Sequence, residues 1–475
     1  MPFNMKKYLI IAPVALAFIA CKPQNPEPNA SMGTVDATTF IAVGNGYVQG
    51  YMNDALYRGG QESSVGNILA KQFSLINEVS YEQYLTAESS LGTNFNGDAR
   101  LTMGYKTDCN NETSLSPVRA STSGDASILG GSVYSASSPV QNFGIANADI
   151  SFFVSPTFGS TNGFVERIAE DPFNQSLKDQ MNQMNPTSYL FALGESQILN
   201  YAMSGGDNGT TILPAINGAG GNDFESFSQS IISGLENSAS SGVICTVPDV
   251  TDYPYFNVIP WNFLDIDSAD AALLNQLYQP FNPEMNFVAG PNGFAIEDPN
   301  APFNVRQIKE GEFITLSIPL DSVRCYGMGS ISPIPQEYVL DSAEVATIKN
   351  AIADYNQTIN NLAAQFDIAI ADIHGIYASM LNGVLYNGVD TNAEFVTGGF
   401  FSLDGRNPTP KGNAFIANEI LKAINQKYGA KIPYCDPGDY ISVEFPYSIT
   451  NTINYETNNY FYFLNAGHYG LRTAL

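Results

Sequence analysis

Phe40-Ile41-Ala42-Val43-Gly44-Asn45-Gly46-Tyr47-Val48-Gln49-Gly50 sets a short apolar run against a glycine-rich corner and a helix-compatible continuation. A short apolar run bounded by glycine reads as a strand buried on both faces. The stretch therefore predicts strand, tight turn and helix in immediate succession. Hydrolytic enzymes present a serine at a corner of this kind. Here the position is Gly46, which has no side chain and cannot attack a carbonyl.

Similar apolar runs recur at Tyr189–Leu193, Gly242–Val247 and Asp367–Ile370. Helical patterns separate them. Asp341, with Glu344 three residues on, forms an acidic cap. Behind it Val345, Ile348, Ile352, Tyr355, Ile359, Leu362 and Phe366 fall along one helical face. A second helix is expected from Thr409 as cap and Pro410 in the first turn, burying Phe415, Ile416, Ile420, Leu421 and Ile424 and stopping at Gly429. Strands alternating with helices predict an α/β fold with a doubly wound parallel sheet. Its ligand sites then lie beyond the carboxyl ends of the strands. Asn94–Val140 and Gly205–Gly221 are polar and read as loop insertions within one domain, and no internal repeat is evident.

The N-terminus carries a processing signal. Lys6 and Lys7 precede an apolar core from Tyr8 to Phe18, and Phe18-Ile19-Ala20-Cys21 closes it. That core is too short to span a bilayer, so residues 1–20 read as a signal peptide. A small residue before cysteine resembles a bacterial lipobox, and Cys21 is the expected lipidation site. An ordinary cleaved signal with a chance cysteine is the alternative. Residues 21–35 form a tether, with Pro23, Pro26 and Pro28 keeping it extended.

The 475 residues, 44% hydrophobic and 12% aromatic, suffice for one large or two smaller cores. The formal net charge is −26, and removing residues 1–20, with two lysines and no acid, makes it more negative. So acidic a chain argues against nucleic acid and anionic headgroups as ligands. Cys109, Cys245, Cys325 and Cys435 allow one or two disulfides in three possible pairings, and their wide spacing is not that of a metal site. No cofactor or metal is expected.

Three blocks in order carry a family resemblance. Arg58-Gly-Gly-Gln61 is followed by Asn67-Ile-Leu-Ala-Lys-Gln72. Cys245-Thr-Val-Pro-Asp-Val-Thr-Asp-Tyr-Pro-Tyr-Phe256 follows a central strand. Gly398-Gly-Phe-Phe-Ser-Leu-Asp-Gly-Arg-Asn-Pro-Thr409 precedes Ala417-Asn-Glu419. Together they resemble the SGNH (GDSL-type) hydrolases, in the lipoprotein branch found in Bacteroidota. The likeness runs from about residue 40 to 433, within an expected domain of residues 36–433. It implies a flavodoxin-like sheet and, in active members, hydrolysis of acyl esters.

That family's chemistry needs a serine nucleophile, a histidine base oriented by an aspartate, and an oxyanion hole from a glycine amide and an asparagine side chain. Carried over by the resemblance, the serine falls on Gly46, the oxyanion glycine on Asn147, the oxyanion asparagine on Ser196 and the histidine on Asn407. Only the aspartate, Asp404, is kept. Glycine has no hydroxyl, and an asparagine amide does not titrate near neutral pH. The expectation is a pseudoenzyme. An esterase with a rearranged site, or a glycan- or lipid-binding module, are the alternatives.

Other candidates have blander readings. His374, in Asp372-Ile373-His374, is expected to be a hydrogen-bonded surface or helix-start histidine rather than a substitute base, and His468 lies outside the family region. Ser196, Ser402 and Glu195 are expected to serve as loop hydrogen-bonding groups. Asp265, Asp267 and Asp270 lack the spacing of a calcium loop and read as a solvated helix start. Residues 434–475 form an aromatic extension. Its run Tyr460, Phe461, Tyr462, Phe463 is a candidate interaction surface, with an added edge strand or a wrap around the domain as the alternative. The expected setting is the outer membrane, through a lipid anchor, with an outer-membrane β-barrel protein or complex as partner.

Overall fold

The computed structural model describes residues 29–157, 161–206 and 209–445. The signal segment, Cys21, the first part of the tether, the run Tyr460–Phe463 and His468 lie outside the described residues.

Five strands form the central sheet: β1 (Phe40–Gly44), β2 (Asn142–Gly144), β3 (Ser188–Ala192), β4 (Ser241–Cys245) and β5 (Ala369–Ala371). They pair in the order β2-β1-β3-β4-β5, all parallel. β1 is buried throughout, as its unbroken apolar run requires. Strand order reverses between β1 and β3, and in open α/β sheets a crevice opens there beyond the carboxyl ends. Gly44 pairs with Gly144 on one side and Ala192 on the other, so the corner Gly44-Asn45-Gly46 sits at that crevice.

The edge strand β2 was not expected, because Asn142-Phe143-Gly144 has no apolar run of its own. Its last residue has to be glycine. A Cβ on Gly144 would fall on the backbone of Val48 and Gln49, in helix α1 (Gly46–Gln49), which packs directly over it. The apolar run at Asp367–Ile370 also starts its strand later than expected. Asp367 is left-handed (φ 55°) and caps the preceding helix, leaving only Ala369–Ala371 to pair. β5 is an edge strand, and Ile370 is exposed.

The helices that position the crevice follow: α2 (Val65–Ser74), α3 (Glu195–Met203), α4 (Phe224–Leu235), α5 (Ser342–Phe366), α6 (Ile373–Met380) and α7 (Pro410–Tyr428). The Asp341/Glu344 capping box forms, and α5 buries Val345, Ile348, Ile352, Tyr355, Ile359 and Leu362, with Phe366 half-buried. α7 starts from Thr409, whose hydroxyl accepts from the Gly412 amide, and ends at Gly429 with φ 61°. α5 and α7 both pack on β4 and β5.

The Asn94–Val140 insertion is more structured than a polar loop, and a further insertion follows β4. Within Asn94–Val140, Leu101–Thr107 and Thr113–Arg119 form an antiparallel hairpin. Between β4 and α5, residues 259–339 carry a helix (Ser268–Tyr278), short antiparallel pairs and their own core of Leu264, Leu274, Phe294, Ile296 and Ile334. A disulfide between Cys109 and Cys325, with Cα atoms 6.4 Å apart, ties the two insertions together, and Arg324 pairs with Asp108 beside it at 2.7 Å. Cys245 and Cys435 are buried thiols. The described start of the C-terminal extension runs back along α7. The Asn418 side chain exchanges two hydrogen bonds of 2.9 Å with the backbone of Cys435, and the Lys411 amide donates to the Ile441 carbonyl at 3.1 Å.

Candidate functional site

Gly46 and Asn407 face each other across the crevice. A Cβ built on Gly46 would overlap Oδ1 of Asn407. Asn407 Nδ2 donates to Asp404 Oδ2 at 3.0 Å, and Asp404 also accepts from the amides of Asp54 (2.8 Å), Arg406 (3.0 Å) and Asn407 (2.8 Å). Asp404 is buried with these donors around it. The positions read as nucleophile, base and orienting acid therefore come together, occupied by a hydrogen atom, an amide and a carboxylate. An amide can hold the aspartate but cannot take up a proton near neutral pH.

Asn147 sits beside them with φ 57°, a left-handed conformation that asparagine tolerates better than most residues. Its Oδ1 accepts from Arg406 Nη1 at 3.2 Å, and its backbone carbonyl accepts from Asn200 Nδ2 of α3 at 3.1 Å. Glu195 and Ser196 are the first residues of α3, not loop residues as expected, and both are buried. No hydrogen bond joins the Ser196 hydroxyl to Gly46, Asn147 or Asn407 among the described residues. Glu195 accepts from the Tyr253 hydroxyl at 2.7 Å and from Asn45 Nδ2 at 3.3 Å. Burial pushes its carboxyl above the usual range despite these donors. Asn45 Oδ1, beneath the corner, is buried without a partner among the described residues.

Arg406 is the group that sequence reasoning missed. It is buried in the space between Asn147, Met203 and Asp54, with Nη2 2.6 Å from Asp54 Oδ1. Asp54 Oδ2 in turn takes Arg119 Nη2 at 2.6 Å and Asn94 Nδ2 at 3.0 Å, while Tyr51 donates to Oδ1 at 3.2 Å. An ion-pair network thus runs from Arg406, beside Asn147, through Asp54 to Arg119 of the hairpin. The one available signal was an arginine inside the block Asp404-Gly405-Arg406-Asn407. Nothing local marked Asp54 or Arg119 as its partners.

Burial works to raise the Asp54 carboxyl, but the Arg406 charge and the hydrogen bonds from Arg119 and Asn94 outweigh it and hold it below the usual carboxylate range. A depressed folded pKa gives stability that is present above the unfolded value, about 3.9, and is lost as pH falls through the lower folded value. Glu195, raised by burial, has the opposite sign. It favours the folded state below its unfolded value and loses that contribution as pH rises through its raised folded value. The Asp54→Asn variant is therefore expected to show a flatter loss of stability below about pH 4 than the natural chain. Urea unfolding across pH measures this, and parallel profiles would contradict it.

The remaining candidates are placed by ordinary hydrogen bonds. His374 starts α6; its amide donates to Thr246 Oγ1 at 2.9 Å and its Nδ1 lies 3.1 Å from the Val247 carbonyl, beside β4 and β5. Ser402 Oγ accepts from the Asn53 amide at 3.0 Å. Asp267 caps the helix Ser268–Tyr278, accepting from the amides of Ala269 and Asp270. Among the described residues no helix is long and apolar enough to cross a membrane, and no group of three or more His, Cys, Asp or Glu is placed to hold a metal ion.

No protein-family model matches the chain, and no curated protein does. Solved structures similar to it include a GDSL-like lipase from Parabacteroides merdae ATCC 43184, at 8% identity and a TM-score of 0.32, covering 84% of this chain and 100% of that one. A catalytic mutant of an acetylxylan esterase from Geobacillus stearothermophilus is similar at 8% identity and a TM-score of 0.30, covering 84% of this chain and 96% of that one. By its own topology the chain is an α/β protein, built on a five-stranded parallel sheet flanked by helices.

Proposed function

We propose that this chain is a non-catalytic derivative of the SGNH hydrolase fold, held at the outer membrane through Cys21. In this reading it acts by protein contacts, as an accessory subunit of an outer-membrane β-barrel or of a barrel-assembly complex. The observation that carries the non-catalytic reading is the meeting of Gly46, Asn407 and Asp404, a triad's layout without a nucleophile or a base. The buried Arg406–Asp54 pair supports it, since an ion pair lies beside Asn147, at the position where the resemblance assigns a glycine amide to the oxyanion hole. Lipid anchoring rests on the signal segment and its Ala20-Cys21 junction, and the β-barrel partner on that anchoring together with the silent crevice and the aromatic run at Tyr460, Phe461, Tyr462 and Phe463.

Hydrolysis of a p-nitrophenyl acyl ester tests the first part. The natural chain is expected to match the buffer blank. The Gly46→Ser/Asn407→His variant, which restores a hydroxyl and an imidazole, provides the comparison. Turnover by the natural chain that disappears in His374→Ala would replace this reading with that of an esterase working through a rearranged site. Purification of detergent-solubilised complexes by a tag on this chain tests the second part. Co-purification of a β-barrel is expected, and recovery of the chain alone counts against the partnership.

A further inference from the structure

The insertion between β4 and α5 carries an apolar groove of about 600 Å³, lined by Leu277, Phe281, Pro299, Phe303, Ile331 and Pro333. It lies wholly within that insertion and does not depend on the reading of the crevice. Phe303 is 74% exposed and Phe281 49%, and their rings meet edge to face with centroids 5.4 Å apart. Solvent-facing aromatic pairs of this kind forgo the stabilisation that burial would give them.

The backbone holds Phe303 there. Phe303 and Asn304 are both left-handed, with φ 54° and 59°, which for a bulky residue is an uncommon and costly state. Their turn is pinned at its base. The Asp298 amide donates to the Asn304 carbonyl at 3.1 Å, and Arg306 reaches Asp298 at 2.5 Å and Glu312 at 2.7 Å. A backbone turn already set before binding lowers the ordering cost of presenting an aromatic side chain to a partner, and aromatic residues often dominate binding energy at interfaces.

Charge selects the partner. Two carboxylates line the groove, Glu297 and Asp298. Arg306 bridges Asp298 and Glu312, one cation for two carboxylates, while the exposed Glu297 has no ion-pair partner among the described residues. The groove therefore offers apolar surface, two aromatic faces able to attract a cation, and a net negative charge presented at its edge by the exposed Glu297. We infer that it is a docking site for a polypeptide segment that places an aliphatic or aromatic side chain between Phe281 and Phe303 and a neighbouring lysine or arginine on Glu297.

Selection from a random-peptide display library against the full natural chain, followed by fluorescence-polarisation titration of the enriched peptides, tests this. Enriched sequences should pair an apolar residue with an adjacent basic one. Phe303→Asn keeps a residue that tolerates the left-handed turn while removing the ring. It should weaken binding at least about tenfold, as should Phe281→Ser. Glu297→Gln should weaken binding about threefold or more and reduce its dependence on salt. Melting temperatures no lower than that of the natural chain in the three variants separate lost binding from lost folding. The inference is overturned if no peptide is enriched, if enriched peptides bind natural and Phe303→Asn chains equally, or if acidic peptides are preferred.

Discussion

Arg406→Ala is expected to destabilise the folded chain by about 3–5 kcal/mol, the range for removing one partner of a buried ion pair. Arg406 is almost wholly buried, and its guanidinium sits 2.6 Å from Asp54 and within hydrogen-bond reach of Asn147. Burial alone would favour its neutral form, but the Asp404 and Asp54 carboxylates more than compensate and hold it charged. Alanine leaves these carboxylates without their shared cation and opens a void beside Met203. Arg119 still reaches Asp54, but it is a third exposed and replaces only part of the lost charge. The double variant Arg406→Met/Asp54→Asn removes both charges and keeps most of the volume, so it should recover more than half of the loss. Denaturant unfolding of the three chains measures both effects. A single-variant loss under about 1 kcal/mol would mean that the network is held by other contacts.

The second large effect is expected at the disulfide. Cys109 and Cys325 are 216 residues apart, so their bond closes a very long loop. Constraint of the unfolded chain grows with the logarithm of loop length, and at this length it stabilises by up to about 5 kcal/mol, with 2–4 typical. The bond also sets where the hairpin lies against residues 259–339, helped by the Arg324–Asp108 pair. Cys109→Ser/Cys325→Ser is expected to lower the denaturation midpoint and to raise amide exchange in Leu101–Thr107 and Thr113–Arg119 before the central sheet responds. Equal exchange in both chains would show that packing alone holds the hairpin. Cys245 and Cys435, buried and apart from each other, should remain unreactive until global unfolding.

The parts legible in the sequence were those governed by local rules. The strand at Phe40, the capping box at Asp341 and the Thr409–Gly429 boundaries of α7 each follow from a few adjacent residues. They form because periodicity, caps and glycine act within one or two turns of chain. Strand β2 escaped notice because Asn142-Phe143-Gly144 is ordered by its neighbour rather than by its own composition. The core within residues 259–339 escaped because short strands separated by turns leave no sustained period. Asp367 misled by looking like the start of a strand while serving as the left-handed end of a helix.

By itself, the chain's order of residues determined an α/β alternation, an acidic surface and the identity of each group at positions 46, 147, 196, 404 and 407. Whether those groups meet is a matter of strand order, since residues hundreds of positions apart adjoin only when parallel strands bring their carboxyl ends to one crevice. The tertiary structure placed Gly46 against Asn407, set Arg406 on Asp54 and chose Cys325 for Cys109. Each of these is a long-range contact, specified by the packing of the whole sheet and its insertions and by no feature of the segments on either side.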